Sequence, residues 1–375
     1  MTRLAAAAAV VLAACSGAPA PGPGDSGPAD AGPKDAGQLD AGALDAGAID
    51  AGTCAGPFEH RAIDLAGCEG QGPGTEDCHA RLVVDPARCC AAHPCDRLVV
   101  YWSGGEQSCA TGTYDPLLER YADAGFVAVC AQPFTTADEA GRYPYAAELE
   151  RMDRLTARAR VEAGVAWTGK KLLHAGVSHG GTAPLVVIAK GRLLETRPTT
   201  WRGSERTALV AFDGISNPRT LEEWTGAQAS GSGCAAFHSR FVGRYGDGSP
   251  LTHSCSNGAC FCSAPPHASA WAQDVVDLAA TSPASPYACA DFTADAGSTL
   301  LRFVSCEGQG APACGATGGD IIPTEQQRGA YDGLKSCPGV VASYAVHPLC
   351  AHVACGAWDA CGGAEAVAWL ASQGF

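Results

Sequence analysis

The stretch Lys171-Leu172-Leu173-His174-Ala175-Gly176-Val177-Ser178-His179-Gly180-Gly181 decides the fold. An apolar run ends at a glycine, a serine stands two residues further on, two more glycines follow, and Thr182 to Leu194 then reads as a helix ending in charge. A strand that turns into a helix this sharply strains the residue at its apex, and the residues two before and two after the apex must be small to pass one another. Gly176 and Gly180 meet that need. The turn lifts the Ser178 hydroxyl above the strand ends, where ligands collect in open α/β sheets. The G-x-S-x-G pentapeptide alone is weak in a chain with 47 glycines, so the weight rests on its setting between strand and helix.

Outward from this turn the pattern alternates. Leu98 to Trp102 is a continuous apolar run ending at Ser103-Gly104-Gly105, as expected of a parallel strand buried on both faces. Asp115-Pro116 reads as an N-cap followed by proline, opening a helix that Gly125 closes. Phe126 to Cys130 reads as the next strand, and Leu149, Met152 and Leu155 mark one face of a helix running to about Gly164. Ala208 to Phe212, Leu300 to Val304 and Val340 to Val346 follow as strands, with a terminal helix over Ala364 to Ser372. Such alternation implies right-handed crossovers, hence an α/β domain with a mostly parallel sheet flanked by helices. Residues 214–298 break the pattern with Trp224, Trp271, five cysteines and many Gly, Ser and Pro, and read as an inserted, disulfide-rich cap.

At these motifs the chain resembles the α/β-hydrolase superfamily, over most of residues 80–375. The resemblance implies a serine esterase-like hydrolase with Ser178 as nucleophile and the chain order nucleophile, acid, histidine. For the acid, Asp320-Ile321-Ile322-Pro323 lies between the strand at 300–304 and a helix from about Thr324, with the proline three residues after the acid where the family usually has four. Asp213, at the end of the preceding strand, is the second choice. For the base, His352 lies in the loop before the terminal helix, and His347, nearer the strand end, is the alternative. Oxyanion donors are expected from the N–H of His179 and from the loop Gly104, Gly105, Glu106. Flanking Cys350, Cys355 and Cys361 are expected to pin the histidine loop, and Cys306 with Cys314 to staple the acid loop. His174, inside a strand, reads as a packed residue.

The N-terminus addresses the domain to its compartment. Arg3 precedes an apolar run, Leu4 to Ala14, that is too short to span a bilayer. Its ending, Leu12-Ala13-Ala14-Cys15, resembles the bacterial lipobox, which implies a signal peptide over residues 1–14 and lipid on Cys15, with Ser16 in place of Asp favouring the outer membrane. Lipid chains would anchor the protein at the cell envelope without a spanning helix. Residues 15–53 repeat Asp-Ala-Gly with Asp25, Asp30, Asp35, Asp40, Asp45 and Asp50 five apart, too poor in large apolar side chains to fold, and read as an extended linker to the domain at 54–375. One carboxylate per five residues supplies too few ligands at once for calcium.

Twenty cysteines fit an oxidising compartment. Adjacent Cys89 and Cys90 are expected to bridge to separate partners such as Cys68, Cys78 or Cys95. With Cys15 lipidated an odd number remains, so one is expected to lack an intrachain partner. The cluster His253, Cys255, Cys260, Cys262, His267 has ligand types for zinc, but in such a compartment paired cysteines form disulfides, so neither metal nor cofactor is expected. A net charge of −14, with 25 Lys plus Arg against 39 Asp plus Glu, disfavours nucleic acid. The expected partner is a small-molecule or polymer-derived ester. A peptidase of the same fold and a non-catalytic cell-surface binding protein on a degenerate scaffold are the alternatives.

Overall fold

Eight strands form one sheet in the order β1-β2-β4-β3-β5-β6-β9-β10. They are β1 (Glu59–Leu65), β2 (Cys78–Val84), β3 (Cys95–Trp102), β4 (Phe126–Ala131), β5 (Trp167–Val177), β6 (Arg206–Phe212), β9 (Thr299–Cys306) and β10 (Val340–His347). A separate antiparallel pair joins β7 (Thr252–Ser256) to β8 (Ala259–Ser263). The computed structural model describes residues 54–65, 78–104, 109, 112–132, 145–178, 180–181, 185, 206–214, 252–256, 259–263, 289, 299–307 and 324–375. The leader and linker expected at 1–53, most of the helix expected at 182–194 and most of the cap expected at 214–298 lie outside them.

From β4 to β10 every pairing in the large sheet is parallel, and β2 runs antiparallel to both β1 and β4. The strands read from the continuous apolar runs are all present. The hairpin β1–β2 was not legible in the same way, because polar and charged residues such as His60, Arg61, Asp64 and Arg81 interrupt it at the sheet edge. The cap region, read without regular structure, contains the β7–β8 hairpin.

Helices cover both faces. On one side α1 (Asp115–Asp123) and the terminal α4 (Gly363–Ser372) bring Leu118, Tyr121, Ala366 and Leu370 against Val99, Tyr101, Ala175, Val177 and Val210. On the other, α2 (Tyr145–Ala163) and α3 (Thr324–Leu334) bring Met152, Leu155, Ala330 and Leu334 against Leu98, Val100, Trp102, Leu172 and Leu301. Successive residues of β3 thus point to opposite buried layers, which is why its sequence is a run and not an alternation. Each fully buried Leu, Val or Phe contributes about 1.5–3 kcal/mol, so the central strands fix the sheet before any loop is specified.

One local expectation changes. Asp115 is the first residue of α1 and not its cap: Tyr114 holds the N-cap position without a side-chain capping bond. The Asp115 carboxylate accepts from Arg81 Nε at 2.5 Å and stands 3.2 Å from His60 Nδ1, so it ties α1 to β1 and β2. Among the described residues, no helix is long and apolar enough to cross a membrane.

Candidate active site

Strand β5 ends at Val177, and Ser178 follows with φ 57°, a left-handed conformation for a residue with a side chain. Asp213, directly after β6, has φ 47°, and these two are the non-glycine residues with positive φ among those described. Such conformations cost on the order of 1–3 kcal/mol each and persist where the surroundings over-determine them. Both therefore mark places where the fold spends stability on geometry, and both stand on adjacent strands at the sheet's carboxyl rim.

The backbone holds the serine turn on both sides. Ser178 N–H donates to Phe212 O at 3.0 Å, and Gly181 N–H donates to Ser178 O at 3.0 Å as the helix begins. The glycine requirement read from sequence is met by contact: a Cβ on Gly176 would lie 2.3 Å from Gly180 O, and one on Gly180 would lie 2.1 Å from Trp102 O and 2.6 Å from Ser103 O. These are backbone atoms of β3 and the turn, which cannot swing aside. Gly180→Ala is expected to destabilise the fold by about 3 kcal/mol or more through forced overpacking, measured as the shift in a denaturant unfolding curve. A shift under about 1 kcal/mol would contradict the close approach. Ser178 itself is partly exposed, as an attacking group must be.

Asp213 is fully buried, and its Oδ2 lies 2.5 Å from Nδ1 of His352. Its Oδ1 accepts from Cys306 N–H at 3.4 Å, and its own N–H donates to Val304 O at 2.7 Å, so the end of β9 grips the residue from two sides. Gln327 from α3 donates to Gly214 O, fixing the chain just beyond. His352 opens a short 3-10 turn, His352–Ala354, after β10 and is 8% exposed. A buried carboxylate needs donors to offset lost hydration, and the imidazole is one of them.

Of the residues read from sequence, the structure brings together His352 and the second-choice acid, Asp213. Asp320 lies outside the described residues, as do His179, Gly105 and Glu106. His347, the alternative base, is turned elsewhere: its Nε2 is 3.3 Å from Glu365 Oε2 on α4. His174 is packed as expected, with Nδ1 accepting from Trp102 Nε1 at 3.1 Å. Gly104 N–H donates to the Tyr114 hydroxyl at 3.3 Å, a contact that sequence reading missed because nothing in the spacing links the two. Burial pushes the Tyr114 phenol up to about 12, so it keeps its proton over the working range. Beside the rim a cavity of about 390 Å³ opens between the start of α1 and the loop after His352. Tyr101, Tyr114, Leu117, Val177, Cys355 and Trp358 line it, so its walls are mostly apolar.

The disulfides partly redraw the expected pattern. Cys89 and Cys90 do bridge to separate partners, Cys95 and Cys54. Cys350 pairs with Cys361 across the histidine loop. Cys306 pairs with Cys355 and not with Cys314, so the bridge runs between the acid side and the histidine loop, because β9 and β10 are parallel neighbours and their ends lie together. In the cap, His253 stands opposite Cys262 and Cys255 opposite Cys260 across β7–β8, and His267 is outside the described residues. No cysteine is free among the described residues.

No family model and no curated protein sequence matches the chain. Among solved structures, an esterase of Pyrobaculum calidifontis is 18% identical with a TM-score of 0.46, covering 84% of this chain and 84% of its own. A bacterial heroin esterase is 15% identical with a TM-score of 0.48, covering 86% of this chain and 84% of its own. Esterase B of Lactobacillus rhamnosis is 11% identical with a TM-score of 0.49, covering 84% and 86%. These overlaps are too loose to bear on chemistry. What settles the architecture is the sheet order, the parallel core with helices on both faces, and the strained serine between β5 and a helix: the chain has the α/β-hydrolase fold.

Proposed function

We propose that the chain is a serine hydrolase that cleaves carboxylic esters outside the cytoplasm, held at the cell envelope by lipid on Cys15. The observation that supports it most is the coincidence, at one sheet rim, of a strained serine on a glycine-framed turn with a buried Asp213–His352 hydrogen bond of 2.5 Å. In this reading Asp213, in place of Asp320, is the acid, because among the described residues it is the carboxylate bonded to the imidazole.

The roles follow from the side chains. Neutral serine is a weak nucleophile, so His352 takes the Ser178 proton as Oγ attacks the ester carbonyl. With Nδ1–H donating to Asp213, the tautomer is fixed and Nε2 is the basic nitrogen, while the carboxylate stabilises the imidazolium that forms. The imidazolium then protonates the departing alcohol, leaving an acyl group on Ser178. Water, deprotonated by His352, attacks this acyl-enzyme, and collapse of the second tetrahedral intermediate releases the acid and restores the serine. The oxyanion is assigned to N–H groups of His179 and of Gly105 or Glu106. Gly104 N–H is already committed to Tyr114.

A fluorophosphonate probe on the full chain, with mass analysis of the peptide carrying Ser178, tests the nucleophile, and parallel panels of p-nitrophenyl esters and peptide anilides test the substrate class. Probe on Ser178 with ester turnover is the expected result. Faster turnover of anilides would make the protein a peptidase, and an unlabelled, inactive chain would leave a binding protein.

A further inference from the structure

The disulfide Cys306–Cys355 sits in an unusual place relative to the candidate acid and base. Starting from Asp213, Oδ2 meets Nδ1 of His352 at 2.5 Å. The carbonyl of His352 accepts from Cys355 N–H at 3.1 Å, and the Cys355 sulfur is bonded to that of Cys306. Cys306 N–H then returns to Asp213, donating to Oδ1 at 3.4 Å. The path is a closed ring through acid, base and one covalent bridge. Both sulfur-bearing residues are buried, Cys306 at 0% and Cys355 at 3% exposure.

The elements involved need such a tie. β10 is the edge strand of the sheet and is only partly buried along its length, and His352 follows it on a loop with one short 3-10 turn. Asp213, by contrast, is fixed between β6 and β9 inside the sheet. Without the bridge, a histidine on an edge loop would be held against a rigid carboxylate by that hydrogen bond and by the loop's backbone bonds, such as Glu307 N–H to His347 O at 3.1 Å. The second disulfide, Cys350–Cys361, closes the histidine loop on itself but makes no bond to β9.

We propose that Cys306 and Cys355 are positioning residues for the reaction, their disulfide locking the imidazole of His352 onto the Asp213 carboxylate; this rests on the reading of those two as base and acid. Asp213 is the ionisable group bonded to His352 among the described residues, and His347 is paired with Glu365 instead. The bridge therefore acts on one charge pair. Loosening it weakens the carboxylate's hold on the imidazole, so the ring is held less often in the orientation that proton transfer from Ser178 requires.

The comparison that isolates this effect uses two disulfides closing loops of nearly equal length: Cys306–Cys355, with sequence separation 49, and Cys289–Cys337, with separation 48. Removing either should loosen the unfolded chain to a similar degree, but Cys289–Cys337 lies against the opposite sheet face from Cys306 and Cys355. The paired variants Cys306→Ala/Cys355→Ala and Cys289→Ala/Cys337→Ala are compared with the full wild-type chain on a p-nitrophenyl ester. For the first pair, kcat is expected to fall by up to about 10²-fold with KM little changed. For the second pair both should stay near wild type while thermal stability drops. If the alanine pair at 306 and 355 does not fold, Cys306→Ala/Cys355→Val refills the space and takes its place. Equal kcat for the two bridges would overturn the proposal. Proton NMR of the His352 Nδ1–H gives the same answer without turnover: loss of the downfield resonance in the first pair alone supports the lock, and its survival in both overturns it. An inactive wild type that still shows the resonance would instead count against the hydrolase reading.

Discussion

Ser178→Ala is expected to reduce ester turnover by about 10⁴–10⁶-fold while leaving KM and the unfolding transition close to wild type. The reason is local. The strained turn is held by backbone hydrogen bonds of Ser178 to Phe212 and from Gly181, and by contacts of Gly176 and Gly180, none of which involves the serine hydroxyl. Removing the oxygen therefore deletes the nucleophile and leaves these turn contacts in place. Residual rate near background with intact binding is the signature of a lost covalent step, measurable as steady-state kcat beside a melting curve. A variant that retained more than a tenth of wild-type kcat would place the nucleophile elsewhere.

Asp213→Asn should cost about 10⁴-fold in kcat, since an amide can donate to Nδ1 and so favours the wrong imidazole tautomer. Asp320→Asn, made in parallel, should leave kcat near wild type. The contrast matters because the chain order permits either residue, and the assignment rests on one hydrogen bond, Asp213 Oδ2 to His352 Nδ1. Asp213 is fully buried and takes a donor from Cys306 as well, so the amide variant also leaves a neighbour poorly matched and some loss of stability is expected. The rate comparison should be made well below the melting temperature of the variant. A large loss in Asp320→Asn with little in Asp213→Asn would reverse the assignment and also undercut the proposed disulfide lock.

Much of the architecture could be read from particular residues. The runs at 98–102, 126–130, 208–212 and 300–304 are strands because a parallel strand buried on both faces has no polar side to show, so its signature is local. The serine turn was equally legible, since Gly176 and Gly180 meet each other four residues apart, while the crowding of both by Trp102, the partner of Gly176 in the sheet, came only with the fold. The edge hairpin β1–β2 was less so: its solvent-facing side and its charged residues dilute the apolar signal, and pairing with β4 comes from a distant part of the chain.

By itself the sequence determined the parallel core, the serine at its rim, the histidine loop before the last helix and the abundance of cysteines for cross-linking. Each is written in short-range periodicity or in residue type. Only the tertiary structure decided which carboxylate meets His352, that Gly104 spends its amide on Tyr114, and that Cys306 reaches Cys355. Those are contacts between segments 10 to 139 residues apart. Their partners are selected by how strands stack side by side, and sheet order is a property of the packed whole that no local pattern encodes.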